Sequence, residues 1–179
     1  MKAVMLSVRP NWCAKITNKI GIEKNGKPIY EKTVEVRKTR PKIETPFKCF
    51  IYETNWSDNT YWKNRHKGKL GKVIGEFVCD RIIDIPYSQY FVDYYHTMPQ
   101  AYLEATCLGM GHIDEYLLSK DGYGWHISDL VIYDKPKELG EFQQCHKCPH
   151  TCVSQSKSLC EYHRLKRPPQ SWCYVEVQE

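Results

Sequence analysis

The sequence predicts an α+β fold, in which short strands form a mixed β-barrel and short helices lie between them. Three observations lead to this prediction: strand-like runs outnumber helical patterns, the runs are short, and glycine or proline residues separate them. The chain has 179 residues, of which 41% are hydrophobic. Because that is enough for one well-buried core but short for two, we predict a single domain over residues 1–179.

The first half of the chain contains a strand, a helix, a hairpin and a further strand. Residues 3–8 are apolar and predict the first strand. Asn11 is a good helix cap, and Trp12, Ile16 and Ile20 recur every fourth residue, so we predict a helix over residues 12–19. Asn25-Gly26 predicts a two-residue turn within an inserted hairpin at about residues 21–31. Residues 47–54 then form the next predicted strand.

The second half alternates strands with two short helices. Residues 72–83 predict one long strand, in which Gly75 marks a bulge or a barrel corner. Pro99 suits the first turn of a helix reaching about residue 107, and a second helix is predicted to end near Gly122. Residues 124–133 and 172–177 predict the last two strands.

One predicted strand, at residues 32–38, carries charged residues on one face. In an extended strand Val34 and Val36 point to one side, while Glu35 and Arg37 point to the other. A guanidinium fork beside a carboxylate can hold a planar polar group such as the edge of a nucleobase. The alternative is an ordinary strand face in contact with solvent.

Five blocks of sequence carry a resemblance to a known family. They are Met5-Leu6-Ser7-Val8-Arg9-Pro10, Lys32-x-x-Glu35-x-Arg37, Gly71-Lys72-Val73-Ile74-Gly75-Glu76-Phe77, Gly124-Trp125-His126-Ile127-Ser128-Asp129-Leu130 and Arg167-Pro168-Pro169-Gln170-Ser171-Trp172. Together and in this order, the blocks resemble the ASCH family of PUA-like β-barrels, and are similar to its small phage and bacterial members. The hairpin before Lys32 and a cysteine-rich segment lie outside the resemblance.

The resemblance implies a cleft beside the barrel that binds RNA or a modified base. The residues that it places at this cleft, with Lys38 added as a phosphate contact, are Ser7, Arg9, Lys32, Glu35, Arg37, Lys38, Trp125, Arg167 and Gln170. We expect Arg37 and Lys38 to hold phosphate or a base acceptor, Glu35 to accept from an amino group, and Trp125 to form an aromatic wall. RNA, a nucleotide or a nucleoside is the expected partner, and a protein partner stays open.

A hydrolase is the second function that the resemblance implies. Some small ASCH proteins resemble amidohydrolases that act on acetylcytidine with a lysine, a threonine and a glutamate, and others resemble ribonucleases. Lys32 and Glu76 match the lysine and the glutamate, but Glu35 stands where those enzymes have threonine. A carboxylate cannot form an alkoxide nucleophile, so Glu35 is a candidate general base instead. Whether the protein is an enzyme stays open at this point.

Four of the nine cysteines crowd into a polar segment at about residues 143–166. Cys145, Cys148, Cys152 and Cys160 predict a zinc site, since the x-x spacing of the first two lets one turn present two thiolates to one ion. Four protein ligands leave no open position, so the predicted zinc is structural. The alternatives are that His163, His150 or His146 replaces a cysteine, or that the four thiols bind no metal.

Hydropathy, cysteine use and net charge indicate the cellular compartment and the kind of partner. Mean hydropathy is −0.60 and no long apolar run occurs, which excludes a membrane-spanning helix. The first apolar run ends at Arg9-Pro10, too early for an export signal, so we expect a cytoplasmic protein whose other five cysteines are reduced. The net charge of +5 is compatible with an anionic partner, and basic and aromatic residues at 55–71 predict either an RNA contact or an ordinary solvated loop.

Overall fold

The computed structural model describes residues 2–55, 69–87, 99–144 and 164–176. Its elements, in chain order, are β1 (Lys2–Val8), α1 (Pro10–Thr17), β2 (Lys19–Ile22), β3 (Pro28–Tyr30), β4 (Val34–Arg37), β5 (Phe47–Glu53), β6 (Lys72–Cys79), β7 (Ile82–Ile85), α2 (Gln100–Thr106), α3 (Met110–Leu117), β8 (Gly122–His126), β9 (Ser128–Lys137), a 3-10 helix (Leu139–Glu141), β10 (Gln143–Gln144) and β11 (Trp172–Glu176). Strands therefore predominate and helices lie between them, as the sequence predicts.

The elements group into two compact units. The first contains Met1–Asn11, Lys48–Phe77 and Leu130–Glu179, and the second contains Trp12–Phe47 and Val78–Asp129. The single domain expected over residues 1–179 stays a prediction.

A six-stranded mixed sheet forms the first unit, with the order β10-β11-β1-β5-β6-β9. Strand β1 lies near its centre, antiparallel to β11 and parallel to β5. Six of the seven residues of β1 are buried, since neighbouring strands flank both of its edges and side chains cover both of its faces. Within the described ranges, β10 and β9 are the two edges of this sheet, so the predicted closed barrel is not seen there.

The core of the first unit consists of eight buried residues: Ala3, Met5, Phe50, Tyr52, Val73, Phe142, Leu165 and Val175.

Strand β6 requires a glycine at position 75. In β6, a Cβ atom on Gly75 would collide with the Val131 carbonyl oxygen of the neighbouring β9. Gly75 therefore permits a close approach of two backbones, one of the roles that an isolated glycine in a strand indicates.

The second unit is built on the antiparallel sheet β4-β8-β7. Helices α2 and α3 supply apolar residues to a core with Val36, Ile85, Ile113 and Leu117 at its centre. Gly124 lies opposite Val36 in the β4-β8 pair, and a Cβ atom there would collide with the hydroxyl of Tyr102 in α2. The packing of α2 on this sheet thus requires glycine, which has no side chain, at position 124.

Strands β2 and β3 form a separate two-stranded hairpin, which we call the ribbon (residues 19–30). Its turn contains three residues rather than the two predicted: the Glu23 amide donates to the Lys27 carbonyl at 2.8 Å, and the Gly26 amide donates to the Glu23 carbonyl at 2.9 Å. Gly26 has a φ of 84°, the left-handed residue that ends a three-residue turn. The hairpin prediction is confirmed, and its turn length is corrected.

Several element boundaries differ from the sequence predictions. Helix α1 begins at Pro10, which has no amide hydrogen to satisfy in the first turn, and it ends at Thr17. Ile20 therefore does not continue the apolar face of α1 but lies in β2 with its side chain exposed. The strand predicted over 72–83 is two strands, β6 and β7, and the one predicted over 124–133 is also two, which meet at Ile127. Helix α3 ends before Leu118, whose φ of 56° is left-handed, and thus well before Gly122.

The five dispersed cysteines are free thiols, as predicted. Cys13, Cys49 and Cys79 are buried, and Cys107 and Cys173 are partly buried. Burial raises the pKa of Cys79 to about 12, so this thiol stays protonated at neutral pH. In the part of the chain that the structure describes, no helix is long and apolar enough to cross a membrane.

Candidate functional site

Two charged residues of β4 and the lysine just before it form a buried cluster, which we call the triad (Lys32, Glu35 and Arg37). One carboxylate oxygen of Glu35 lies 2.9 Å from the Arg37 guanidinium, and the other lies 3.3 Å from the Lys32 amine. All four residues of β4 are buried, so the alternative of a solvent-exposed strand face is wrong. Relative exposure is 1% for Lys32, 7% for Glu35 and 6% for Arg37.

The amine of Lys32 is held from more than one side. It donates a hydrogen bond of 2.6 Å to the Thr106 carbonyl, at the end of α2. It also lies 5.1 Å from the centre of the Trp12 ring in α1, within the range of a cation–π interaction. Since Lys32 thus binds a backbone carbonyl as well as Glu35, its position is set by the fold of the second unit.

Burial dominates the electrostatics of this cluster. It lowers the pKa of Lys32, because a charged amine loses hydration, and the neighbouring Glu35 carboxylate opposes part of that effect. Burial also raises the pKa of the Cys107 thiol, against the attraction of the Lys32 charge. The Cys107 thiol donates to the Glu31 carbonyl at 3.2 Å. Cys107 is therefore a protonated neighbour of the triad rather than a nucleophile.

Trp125 lies directly across from Glu35 in the β4-β8 pair, which puts both side chains on the same face of the sheet. Its side chain is fully buried and meets Phe47 edge to face, with ring centres 5.7 Å apart. The structure thus brings Lys32, Glu35, Arg37 and Trp125 of the predicted site together.

Three further predicted site residues differ in exposure. Ser7 is buried, and its hydroxyl donates to the Pro169 carbonyl at 2.7 Å, so it anchors the proline segment of the first unit. Arg9 and Lys38 are exposed. The Lys38 amine lies 5.2 Å from the centre of the Tyr116 ring in α3.

Arg167 and Gln170 lie on the exposed segment that precedes β11. Arg167 lines a pocket of about 440 Å³ in the first unit, together with Gln144, Arg164, Leu165, Lys166, Pro168, Pro169 and Cys173. Three basic side chains make the wall of this pocket positive, which suits an anion. That Arg167 and Gln170 share a cleft with the triad stays a prediction.

Glu76, the glutamate expected in a hydrolase, has two partners within the first unit. Its carboxylate accepts from the Lys48 amine at 2.8 Å and from the Tyr133 hydroxyl at 2.6 Å. Burial alone would raise the pKa of Glu76, but these two hydrogen bonds, together with the charges of Lys48 and Lys137, outweigh it and lower the pKa. The carboxylate is therefore held as an anion at neutral pH.

The four predicted zinc ligands, Cys145, Cys148, Cys152 and Cys160, lie outside the described residues, as do His150 and His163 and most of the basic and aromatic loop. Among the residues that are described, no three His, Cys, Asp or Glu side chains come together as a metal site would require. The structural zinc stays a prediction.

Sequence reasoning does not find two contributors to the triad. The Thr106 carbonyl is a backbone group 74 residues from Lys32, and no sequence pattern marks a carbonyl for this role. Trp12 stands out in the sequence only as part of the apolar face of a helix. The apolar periodicity that predicts that Trp12 faces the protein interior is the sequence signal that could have pointed to it.

These observations define a sheet-rich α+β fold with a buried ionic cluster at β4, which is an outer strand of the sheet β4-β8-β7 in the described part of the chain. No family model matches the sequence, and no curated protein does. The fold is nevertheless similar to the crystal structure of ASCH from Zymomonas mobilis, with a TM-score of 0.56 and 15% identity over 97% of this chain and 87% of that chain. Structures of two mutants of that protein match with TM-scores of 0.56 and 0.57, also at 15% identity, and cover 98% and 97% of this chain and 91% and 88% of theirs. The chain therefore has the fold of an ASCH domain, as the sequence predicts.

Proposed function

We propose that this protein binds RNA by recognising a nucleobase, such as a modified base, at the triad. The observation that carries the proposal is that the Glu35 carboxylate is held between Lys32 and Arg37 on a strand facing Trp125. A fixed acceptor beside a planar donor fork complements the edge of a base, which presents acceptors and donors side by side. The resemblance to ASCH domains supports the same class of ligand.

Burial assigns different roles to the three charged residues. Glu35 and Arg37 keep a few per cent of exposure, whereas the Lys32 amine keeps almost none. A ligand can therefore meet the edges of Glu35 and Arg37, while Lys32 acts behind them by holding the carboxylate in place. In such a dry site each hydrogen bond to a base is stronger than in water, but the base has to leave its stack to reach it.

The test measures binding of a labelled 12-nucleotide RNA with one central acetylcytidine, and of the same RNA with cytidine, by fluorescence anisotropy. Arg37→Lys keeps the positive charge beside Glu35 but loses the planar fork. Because a good bidentate contact to a base contributes roughly 1–3 kcal/mol, we expect affinity to fall about 5- to 150-fold. Glu35→Gln is the second variant, studied only where circular dichroism shows that it is folded.

Glu138→Gln is the matched control, because Glu138 also pairs with a lysine, Lys72, at 2.8 Å but is exposed. We expect it to bind both RNAs as the parent protein does. Parent-like binding by Arg37→Lys and by Glu35→Gln would refute recognition at the triad.

A hydrolase acting on acetylcytidine is the second candidate, and one observation favours it. Burial lowers the pKa of Lys32, as a lysine acting as a general base requires. Against it, the amine is covered and already donates to Thr106. Release of cytidine from acetylcytidine by the purified protein, lost in Lys32→Ala, would support the hydrolase, and RNA cleavage with the same dependence would support a ribonuclease.

A further inference from the structure

The ribbon exposes aliphatic residues that a folded protein usually covers. Ile20 is 61% exposed, Ile22 is 75% exposed and Ile29 is 39% exposed. All three belong to one short two-stranded sheet, β2-β3. Single exposed apolar residues need no explanation, but three on an element this small do. Ile22 pairs with Pro28 and Ile29 with Gly21, so these two side chains lie on opposite faces of the ribbon, and both faces expose apolar surface.

The two ends of the ribbon are tied together beside the triad. The Glu31 amide donates to the Asn18 carbonyl at 2.9 Å, and the Asn18 side chain donates to the Glu31 carboxylate at 2.8 Å. The same carboxylate pairs with the Lys15 amine at the end of α1, and the Lys32 amide donates to the Lys15 carbonyl. The residue that follows this clamp is Lys32, so the ribbon ends where the triad begins.

The strand edges of the ribbon are poorly suited to pairing with another protein strand. A register shift, typical of a bulge, interrupts the pairing between Lys19 and Gly21 in β2. Strand β3 begins with Pro28, which has no amide hydrogen to donate. Both features are devices that protect an exposed edge from strand addition, so the side chains rather than the backbone are the contact surface.

The charges on the ribbon favour an anionic partner. It carries three lysines, Lys19, Lys24 and Lys27, and one acid, Glu23. The Lys27 amine lies 3.6 Å from Asp129, but their side chains are 70% and 67% exposed, and such a pair contributes little. Lysines attract phosphates, and isoleucine side chains can pack against sugars or enter between neighbouring bases.

We propose that the ribbon binds the nucleic-acid strand flanking the base at the triad, with its lysines on phosphates and its isoleucines against bases and sugars. This inference rests on the proposed function, because it concerns the same ligand. Lys19 begins β2 at the base of the ribbon and Lys24 lies in the turn at its far end, so the three steps of β2 alone separate them by roughly 10 Å at about 3.3 Å per residue. They therefore contact different phosphates of a polymer, and a free nucleoside reaches neither.

The experiment compares the acetylcytidine-containing 12-nucleotide RNA, by anisotropy, with free acetylcytidine, by calorimetry. For the double variant Ile20→Ser, Ile22→Ser we expect about tenfold weaker RNA binding and unchanged nucleoside binding. For Lys24→Gln, the slope of log affinity against log salt should fall by about 0.7, the value for one phosphate of a single strand. Val131→Ser, in a strand residue 51% exposed, and Lys135→Gln, also exposed, are the matched controls and should change neither.

The outcomes separate this inference from the proposed function. Ribbon variants that bind the RNA as the parent protein does, or that lose no more than the controls, overturn the role of the ribbon. Variants that lose only self-association in sedimentation, and keep the RNA, overturn it as well. If instead the ribbon variants lose the RNA while Arg37→Lys and Glu35→Gln both keep parent affinity for both ligands, the ribbon contact stands and recognition at the triad fails.

Discussion

Replacing Glu35 by glutamine should destabilise the protein more than replacing Lys32 by methionine. Glu35→Gln keeps the shape of the side chain but leaves two buried cations without their shared counter-charge. Removing one partner of a buried pair costs about 3–5 kcal/mol. Because a domain of this size has a free energy of unfolding of about 5–15 kcal/mol, the loss is a large fraction of the total.

Lys32→Met removes a buried charge together with its partner's attraction, and Glu35 keeps Arg37 at 2.9 Å. What remains is the Thr106 carbonyl without its donor, a loss of about 1–3 kcal/mol. Glu35→Gln is therefore expected to lower the free energy of unfolding more than Lys32→Met, because Glu35 is the group shared between two cations. Arg37→Lys, which keeps both charges, should cost less than Glu35→Gln.

Urea unfolding followed by tryptophan fluorescence measures these differences, at constant m-value. Glu138→Gln again serves as the control: its ion pair has a length of 2.8 Å, but the side chains of Glu138 and Lys72 are 64% and 34% exposed, so its loss should cost less than about 1 kcal/mol. A cost below about 1 kcal/mol for Glu35→Gln, or a larger cost for Lys32→Met, would refute the reasoning.

Three further predictions concern other parts of the chain. Gly124→Ala should lower the free energy of unfolding by about 1–3 kcal/mol through overpacking, whereas Gly140→Ala, with no atom near its added Cβ, should change it little; equal effects in urea titrations would contradict this. Burial raises the pKa of Glu53 from its ordinary value of 4.5 to about 7, so the folded state binds the extra proton. Stability should then fall by up to about 3 kcal/mol as pH rises from about 4.5 to 7, and thermal melts of Glu53→Gln should lack this fall. We also propose one structural zinc per chain, measured by plasma mass spectrometry and reduced in Cys145→Ser and Cys148→Ser; a substoichiometric content in the parent protein would remove that proposal.

Local signals in the sequence predict much of the fold. Asn25-Gly26 locates the turn of the ribbon, and Pro99 locates the start of α2, because both act through the backbone of a few adjacent residues. The break at Asp80-Arg81 escapes prediction, since β-branched and apolar residues continue on both sides of it. The partners of β6 and β7 belong to different sheets, and a one-dimensional pattern does not specify partners.

For the site, alternation in β4 correctly puts Glu35 and Arg37 on one face but does not predict that this face is buried. The reason is that period-two alternation reports which residues share a face and not what covers that face. Here the covering groups come from distant parts of the chain, including the Thr106 carbonyl and the Trp12 ring near the Lys32 amine. Burial of the triad is therefore a tertiary property.

The position of β1 in its sheet has a consequence for biosynthesis. Lys2 pairs with Glu176 and Leu6 with Trp172, so β1 leaves the ribosome long before the strand that satisfies its antiparallel edge. Its parallel neighbour β5 is available much sooner. During translation the half-formed sheet therefore has an unpaired, apolar edge at β1, the kind of edge that favours aggregation.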